Sequence, residues 1–398
     1  MSEDSMSAAT TEQDLVSLEW TRRLIAIDTT SRNSNLELID LVADEVRRLG
    51  VEPLLVPNEE NTKANLFATF PAADGTTEGG IVISGHTDVV PVDGQDWSSD
   101  PFTAEVRDGR LYGRGAADMK SYIGAALSLL PRLAEADLTT PVHLALSYDE
   151  EIGCVGAGRL VEELERRGIS PEFCIVGEPT SMRVIAEHKS VNVFRATFTG
   201  VASHSSLTPD GVNAIHHASR FAVAFADLVD GWRQDGPFDE GYVVPFSTGG
   251  VNLVRGGIAS NTVPDQCVLE FEFRTVAALD ADEVTARVRA ALDEANARMR
   301  EEDPRAGVAV EVIGQVPGLF TPAGSPVLAL GADLGGLPSD EKVTYGTEAG
   351  QFTGIGIGSI VCGPGDIAQA HTADEWIELD QIAACEAFFD AVFARVTA

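Results

Sequence analysis

Three short apolar runs in the first half of the chain each break off at residues that can carry a proton or a metal. Ile81-Val-Ile-Ser-Gly-His-Thr-Asp88 ends in a histidine with an aspartate two residues on, Val142 to Tyr148 runs into Glu150-Glu151, and Phe173 to Gly177 runs into Glu178. Short apolar runs of this kind read as strands buried on both faces. The stretches Met119 to Ala136 and Ala157 to Arg167 between them have helical spacing. Strands alternating with helices predict an α/β fold, a mainly parallel sheet covered by helices. In open sheets of this class ligands bind outside the carboxyl ends of the strands. One pattern therefore predicts both a fold class and the edge at which its chemistry collects.

The rest of the chain divides around that pattern. Leu15 to Ile27 and Leu36 to Leu49 have the spacing of amphipathic helices, and β-rich runs follow at Val51-Val56, Asn65-Phe70 and Gly80-Ser84. After Ser190 the texture changes to an α+β block: strand 191–199, helix 212–229, an alternating strand 267–275, a long helix 281–299 and a strand 308–313. The first pattern then resumes with a helix near 326–334, a buried strand at 359–362 and a last helix from Leu379. The expected organisation is a catalytic domain from residues 1–187 and 315–398, with residues 188–314 inserted as a satellite domain. The Gly-rich stretches 153–158 and 354–358 lack the spacing and acidic partner of a dinucleotide fingerprint and read as turns.

At 398 residues the chain exceeds one ordinary core, which agrees with two domains. Its net charge of −34 argues against a nucleic-acid or anionic-membrane partner, since phosphate attraction needs a basic surface, and neither is expected. No apolar run is long enough for a membrane helix. The polar, acidic start is not a secretory signal, and a cytoplasmic location is expected. The five cysteines are scattered without a CxxC pair, so they read as buried apolar residues and not as disulfides or thiolate ligands. Lysine occurs only at positions 63, 120, 189 and 342. Adaptation to high salt, where screening relieves acidic self-repulsion, and a GC-rich coding bias favouring arginine both account for this.

Metal-assisted hydrolysis needs ligands to hold the ions, a polarised water and a base for its proton. His86 supplies a nitrogen ligand, and Asp88 is close enough in sequence to hydrogen-bond the ring nitrogen that faces away from a metal. Adjacent carboxylates just past a strand, Glu150 and Glu151, point different ways, so that one can bind metal while the other faces the water. Alone, His86 reads equally as a buried histidine and Glu150-Glu151 as an acidic surface turn. With Asp118, Glu178 and His371 the set reads as the shell of two hydrolytic metal ions. His143 reads as packing within a strand, His216 and His217 as a solvated helix face, and His188 as either packing or function.

The segments that carry these residues resemble one family. They are Ser84-Gly-His-Thr-Asp-Val-Val-Pro-Val-Asp-Gly-Gln-Asp-Trp97, Leu111-Tyr-Gly-Arg-Gly115 with Asp118-Met-Lys120, Ser147-Tyr-Asp-Glu-Glu151, Gly177-Glu-Pro-Thr180, Tyr345-Gly-Thr-Glu-Ala-Gly350, and Cys362-Gly-Pro-Gly365 with His371. The chain is similar along essentially its whole length to the di-zinc amidohydrolases and metallopeptidases that include acetylornithine deacetylase, succinyl-diaminopimelate desuccinylase, aminoacylase and related carboxypeptidases. The likeness is greatest to the acetylornithine deacetylases. It implies two divalent ions, zinc first and cobalt or manganese also admitted by the ligand set. Asp118 would bridge them, His86 and Glu178 completing one site and Glu151 and His371 the other. Glu150 would be the general base, Asp88 the partner of His86, and the Asp118-Met119 peptide cis.

In the inserted block, taken by resemblance as a dimerisation and lid domain, Ser203-His204-Ser205 matches a histidine that reaches a partner subunit's active site and stabilises an oxyanion. Asn261, in Ala259-Ser-Asn-Thr-Val-Pro264, and Arg274, in Phe271-Glu-Phe-Arg274, match residues that bind the substrate carboxylate. Glu348 is a candidate contact for a substrate ammonium. The implied activity is hydrolysis of an N-acyl amino acid by a homodimer, with Nα-acetyl-L-ornithine the leading substrate. Succinyl-diaminopimelate, broader acyl amino acids and peptides are the alternatives, and a catalytically inactive binder of amino-acid derivatives is the alternative outside enzymes. Ser121 stands where the family usually has glycine, and Ala116-Ala117 where acetylornithine deacetylases commonly have Thr-Cys. No ligand is lost, and fine substrate preference is what these changes bear on.

Overall fold

The computed structural model describes residues 10–398. The chain forms two compact units. One contains residues up to Glu187 with Leu319–Asp340 and Thr347–Ala398; the other contains His188–Gly318 and Glu341–Gly346. The short segment 341–346 returns to the second unit, a crossing for which the sequence carries no signal.

The first unit is built on a sheet with the strand order Leu54–Pro57, Ala64–Phe70, Val142–Ser147, Ile81–His86, Phe173–Val176, Gly358–Val361. The last four run parallel, and the first two form an antiparallel edge. Every residue of Ile81–His86 and Val142–Ser147 is buried, which accounts for the unbroken apolar runs. From Ile81–His86 the chain goes to a neighbour on one side, Val142–Ser147, and then crosses to the other side at Phe173–Val176. The central strand is thus the topological switch point, where a crevice opens at the carboxyl edge.

The helix Ser121–Glu135 is buried on almost every side, and Tyr122 Oη donates to the Ile175 carbonyl of the sheet at 3.0 Å. The helices Leu36–Arg48 and Val155–Arg167 show the expected single buried stripe, and the latter ends at Gly168 in the left-handed conformation. Leu24, Leu38, Val42, Ile123, Leu130, Phe388 and Val392 join the strand residues in one core.

The second unit is a four-stranded antiparallel sheet ordered Thr248–Gly256, Gln266–Arg274, Val191–Thr199, Gly307–Val316, with helices Ala214–Asp235 and Ala281–Glu302. Alternate residues of Val191–Thr199 and Gln266–Arg274 are buried, so Phe194, Phe198, Leu269, Phe271 and Phe273 face the helices as one aromatic-rich core. The strand Thr248–Gly256 was not expected from its sequence. It lies at the sheet edge, is glycine-rich and has no fully buried residue, so neither period nor burial marks it.

His143 is packed as expected, its ring stacked on Phe67 and bonded to Thr69 Oγ1 and the Gly79 carbonyl. His217 corrects the reading of a solvated face: it is buried and paired with Glu302 at 3.0 Å, while His216 is exposed. All five cysteines are free and buried. Among the described residues no helix is long and apolar enough to cross a membrane.

Candidate metal centre

Strand register places the first ligands. His86 pairs with Ser147, and Ser84 pairs with Val176, so the residues just beyond each neighbouring strand flank His86. Those residues are Glu150-Glu151 on one side and Glu178 on the other. His86 Nε2 lies 3.6 Å from Glu178 Oε1 and 2.9 Å from Asp118 Oδ1. The other oxygen of Asp118, Oδ2, lies 3.2 Å from His371 Nε2, which is 3.1 Å from Glu151 Oε2. One carboxylate therefore turns its two oxygens to two different histidines. The peptide Asp118-Met119 is cis, as the resemblance implies.

Ligand atoms of His86, Glu150 and Glu178, and those of His86, Asp118 and Glu151, form two groups whose atoms lie within 4.8 Å of one another. Glu150 thus sits within reach of the His86 and Glu178 side as well as beside Glu151. His371 is the more solvent-exposed partner, its side chain 48 % exposed where Asp118 is 5 %.

The electrostatics call for cations. Burial pushes Glu150 up to about 8 and Glu151 up to about 7, and raises Glu178 well above the carboxylate range; neighbouring carboxylates add to each shift. Hydrogen bonds to Asp118 and Glu151 raise His371 to about 10. Although burial opposes it, hydrogen bonding from His371 and His86 holds Asp118 below its usual range. Glu178 Oε1 is buried with no hydrogen-bond partner, an expensive arrangement for a carboxylate unless it binds an ion. Five acidic ligands or neighbours around two histidines, with no thiolate, match two divalent ions of the zinc, cobalt or manganese type.

His86 is oriented by Asp88, and the contact differs from the one expected. Its Nδ1 donates to the main-chain carbonyl of Asp88 at 2.9 Å, whereas the carboxylate is 3.6 Å away. This bond occupies Nδ1 and directs Nε2 into the pocket, where its lone pair would be offered to an ion taking the place of the Nε2 proton. The Asp88 carboxylate accepts instead from Ser31 Oγ at 2.7 Å and from the backbone N–H groups of Glu150 and Glu151 at 3.0 and 3.3 Å. It pins the turn that carries Glu150 and Glu151. Asp149, at φ 55 in the same turn, is held by Lys63, which also donates to the Ser31 carbonyl.

Glu348 is only 1 % exposed and accepts from Ser84 Oγ at 2.6 Å and Ser147 Oγ at 2.5 Å. With an oxygen on each of two adjacent strands it ties their ends together. This position supports a structural tie and not a contact to a substrate ammonium.

The remaining candidates lie in the second unit. His204 and Asn261 come together across a short ladder of Ser203–His204 with Thr262–Val263, and the Asn261 carbonyl accepts the Ser205 N–H at 3.0 Å. Both residues are exposed. His204 Nδ1 accepts the Ser206 N–H at 3.2 Å, which in the neutral ring places the proton on Nε2 as a donor. Arg274, at the end of Gln266–Arg274, donates to the Thr344 carbonyl at 3.2 Å and lies 3.5 Å from Glu272.

Sequence reasoning missed Glu375, Arg114 and Gln95, which surround the backbone of Asp118 and His371. Gln95 and Arg114 fall inside two of the segments that carry the family resemblance. Glu375 follows His371 by four residues, and in a chain this acidic nothing local distinguishes it.

The sequence profile of peptidase family M20/M25/M40 matches residues 82–395. The acetylornithine deacetylase of Myxococcus xanthus is 32 % identical over 379 residues, covering 94 % of this chain and 95 % of that protein. Among solved structures, the M20 family metallo-carboxypeptidase Sso-CP2 of Sulfolobus solfataricus superposes with a TM-score of 0.73 at 18 % identity, over 95 % of this chain and 98 % of that one. The YXEP protein of Bacillus subtilis, described as a dinuclear metal binding peptidase of the M20 family, gives 0.63 at 16 %, over 96 % and 97 %. The chain belongs to peptidase family M20/M25/M40 and is a metal-dependent hydrolase.

Proposed function

We propose that the protein hydrolyses the amide bond of an N-acyl amino acid, with Nα-acetyl-L-ornithine as substrate and L-ornithine and acetate as products. The observation that carries the hydrolytic reading is the divided Asp118 carboxylate, one oxygen toward His86 and the other toward His371. The substrate rests on the relative of that activity, which matches nearly the whole chain.

His86 and Glu178 would hold one ion, Glu151 and His371 the other, with Asp118 shared. Two divalent ions there would lower the pKa of a water and polarise the acyl carbonyl. Glu150 accepts a proton from the attacking water as the new C–O bond forms, and delivers it to the amine as the C–N bond breaks. Asp88 keeps the Glu150-Glu151 turn and the His86 ring in place for this transfer. His204, with its proton on Nε2, is assigned to the oxyanion of the tetrahedral intermediate. Arg274 and Asn261 are assigned to the substrate carboxylate, for which a guanidinium fork is well suited.

Because the resemblance has the His204 residue act from a neighbouring subunit, the reading includes a homodimer, which sedimentation at micromolar concentration tests. The substrate is tested by amine release from zinc-loaded protein given Nα-acetyl-L-ornithine, N-succinyl-diaminopimelate or a dipeptide. Turnover of the acetyl compound alone supports the proposal and a place in arginine biosynthesis. Preference for either alternative overturns the substrate while leaving the hydrolase intact.

A further inference from the structure

Asp118 and His371 meet at 3.2 Å but come from segments far apart in the chain, so something must set their separation. Both are anchored to one buried ion pair. Arg114 and Glu375 are each 1 % exposed and lie 2.6 Å apart. Glu375 Oε1 accepts the backbone N–H groups of Ala117 and Asp118 at 2.9 and 3.1 Å, and Oε2 that of Gly115 at 3.0 Å. On its other side Arg114 Nη1 donates to the Thr372 carbonyl at 3.3 Å. Its Nη2 donates to Gln95 Oε1 at 2.6 Å, and Gln95 Nε2 donates to the His371 carbonyl at 3.0 Å. Trp97 Nε1 fixes the same Gln95 oxygen at 3.0 Å.

His371 itself has φ 61 and Asp374 φ 53, left-handed conformations that a non-glycine residue keeps only where its surroundings impose them. Asp374 is held by the backbone N–H and Oγ of Ser98 at 2.8 and 3.0 Å. The 371–375 loop is therefore fastened at both ends to the 95–98 segment. A buried ion pair is a costly way merely to fill space, since well-packed apolar residues often serve stability as well or better.

We propose that Arg114, Glu375 and Gln95 are positioning residues for the metal centre: they set the spacing between Asp118 and His371 and so fix the ion that these two share with Glu151. The inference rests on the two-ion reading above. Within that reading it separates the ions, because Gln95 bonds the His371 carbonyl directly and reaches Asp118 only through Arg114 and Glu375, whereas Glu375 holds the Asp118 N–H itself.

The test is titration of metal-free protein with cobalt(II), followed by visible absorption and metal content, in wild type, Gln95→Ala and Glu375→Gln. Gln95→Ala is expected to take its first equivalent as wild type does and its second about 10- to 100-fold more weakly. Glu375→Gln is expected to weaken both. The melting temperature of the metal-free proteins is measured in parallel; Gln95→Ala leaves Arg114 Nη2 and Trp97 Nε1 short of an acceptor and should lower it by a few degrees, so the gap between the first and second equivalents is the deciding reading. Wild-type affinity for both equivalents in Gln95→Ala overturns the proposal. A lowered melting temperature with unchanged affinity also overturns it, because the role would then be structural only. Should Glu375→Gln not fold, Gln95→Ala decides alone. Failure of the wild type to bind two equivalents would instead remove the two-ion reading itself, an outcome distinct from the others.

Discussion

Glu178 and Arg274 both carry charge at the end of a β-strand, and the protein treats them in opposite ways. Glu178 is 4 % exposed, has one oxygen with no hydrogen-bond partner, and is flanked by His86 at a distance set by the register of a fully buried parallel sheet. The Arg274 side chain is 31 % exposed, at the end of an antiparallel strand, and already shares its guanidinium with Thr344 and Glu272. The same contrast separates the whole metal pocket from His204 and Asn261, both exposed on a short ladder. Ion ligands must be placed to a few tenths of an ångström, which only a packed core and a saturated backbone provide. Residues that meet a substrate need reach more than rigidity. The pocket should therefore fail in metal content or proton transfer when altered, and the second unit in how it meets the substrate, Arg274 in binding and His204 in the transition state.

The largest effect is expected from Glu150→Gln, which should lower kcat by about 10³-fold or more while metal content stays at the wild-type level. Loss of metal along with activity would make Glu150 a ligand and not the base. His204→Ala should lower kcat by about 10²-fold with KM little changed, as expected when one oxyanion donor is removed. A change confined to KM would move His204 from the transition state to ground-state binding. Arg274→Ala should raise KM for acetyl-ornithine by roughly 10- to 100-fold, the loss of a charged pair to the substrate carboxylate. A substrate lacking that carboxylate should be indifferent to the change, and an equal loss for both substrates would break the assignment.

A smaller effect links the pocket to pH. Glu150 and Glu151 titrate near 8 and 7 in the fold, raised by burial from an ordinary value of 4.5. The folded, metal-free pocket therefore binds more protons than the unfolded chain between those values. Its stability is fully present below about 4.5 and is lost as pH rises through 7 to 8. Cations offset that loss, and they also compete with the same protons. Chelation should thus lower the melting temperature by several degrees more at pH 8 than at pH 5. An equal drop at both values, read by calorimetry, would contradict the proton count.

The metal side of the molecule was legible because strands that end at an active edge leave a readable signature, an apolar run followed at once by His86, Glu150-Glu151 or Glu178. Asp118 and His371 have no such run before them and join the set by residue type, the segment resemblance supplying their roles. What the sequence concealed is the layer behind the ligands. The hydrogen bond from His86 goes to a carbonyl, which every residue possesses, so the side chain of Asp88 was credited with it. Glu348 has the charge of a substrate contact and the burial of a core tie, and charge alone is visible in sequence. Glu375 is one acidic residue among 62 Asp and Glu. The edge strand Thr248–Gly256 is invisible for a related reason: with one side unpaired and no buried residue, it has no apolar period to display. The four lysines show the reverse. None is exposed, and Lys63, Lys120 and Lys189 each donate to main-chain carbonyls. Lysine thus survives only where the fold uses it, which fits either a high-salt surface or a coding bias.

Whether Asp118 serves two ions at once is tested most directly by metal content per chain, measured by plasma emission after dialysis against zinc. Two ions in the wild type, with neither retained in Asp118→Ala, is the predicted result. A single ion in the wild type, or two ions still held by Asp118→Ala, would contradict the shared bridge.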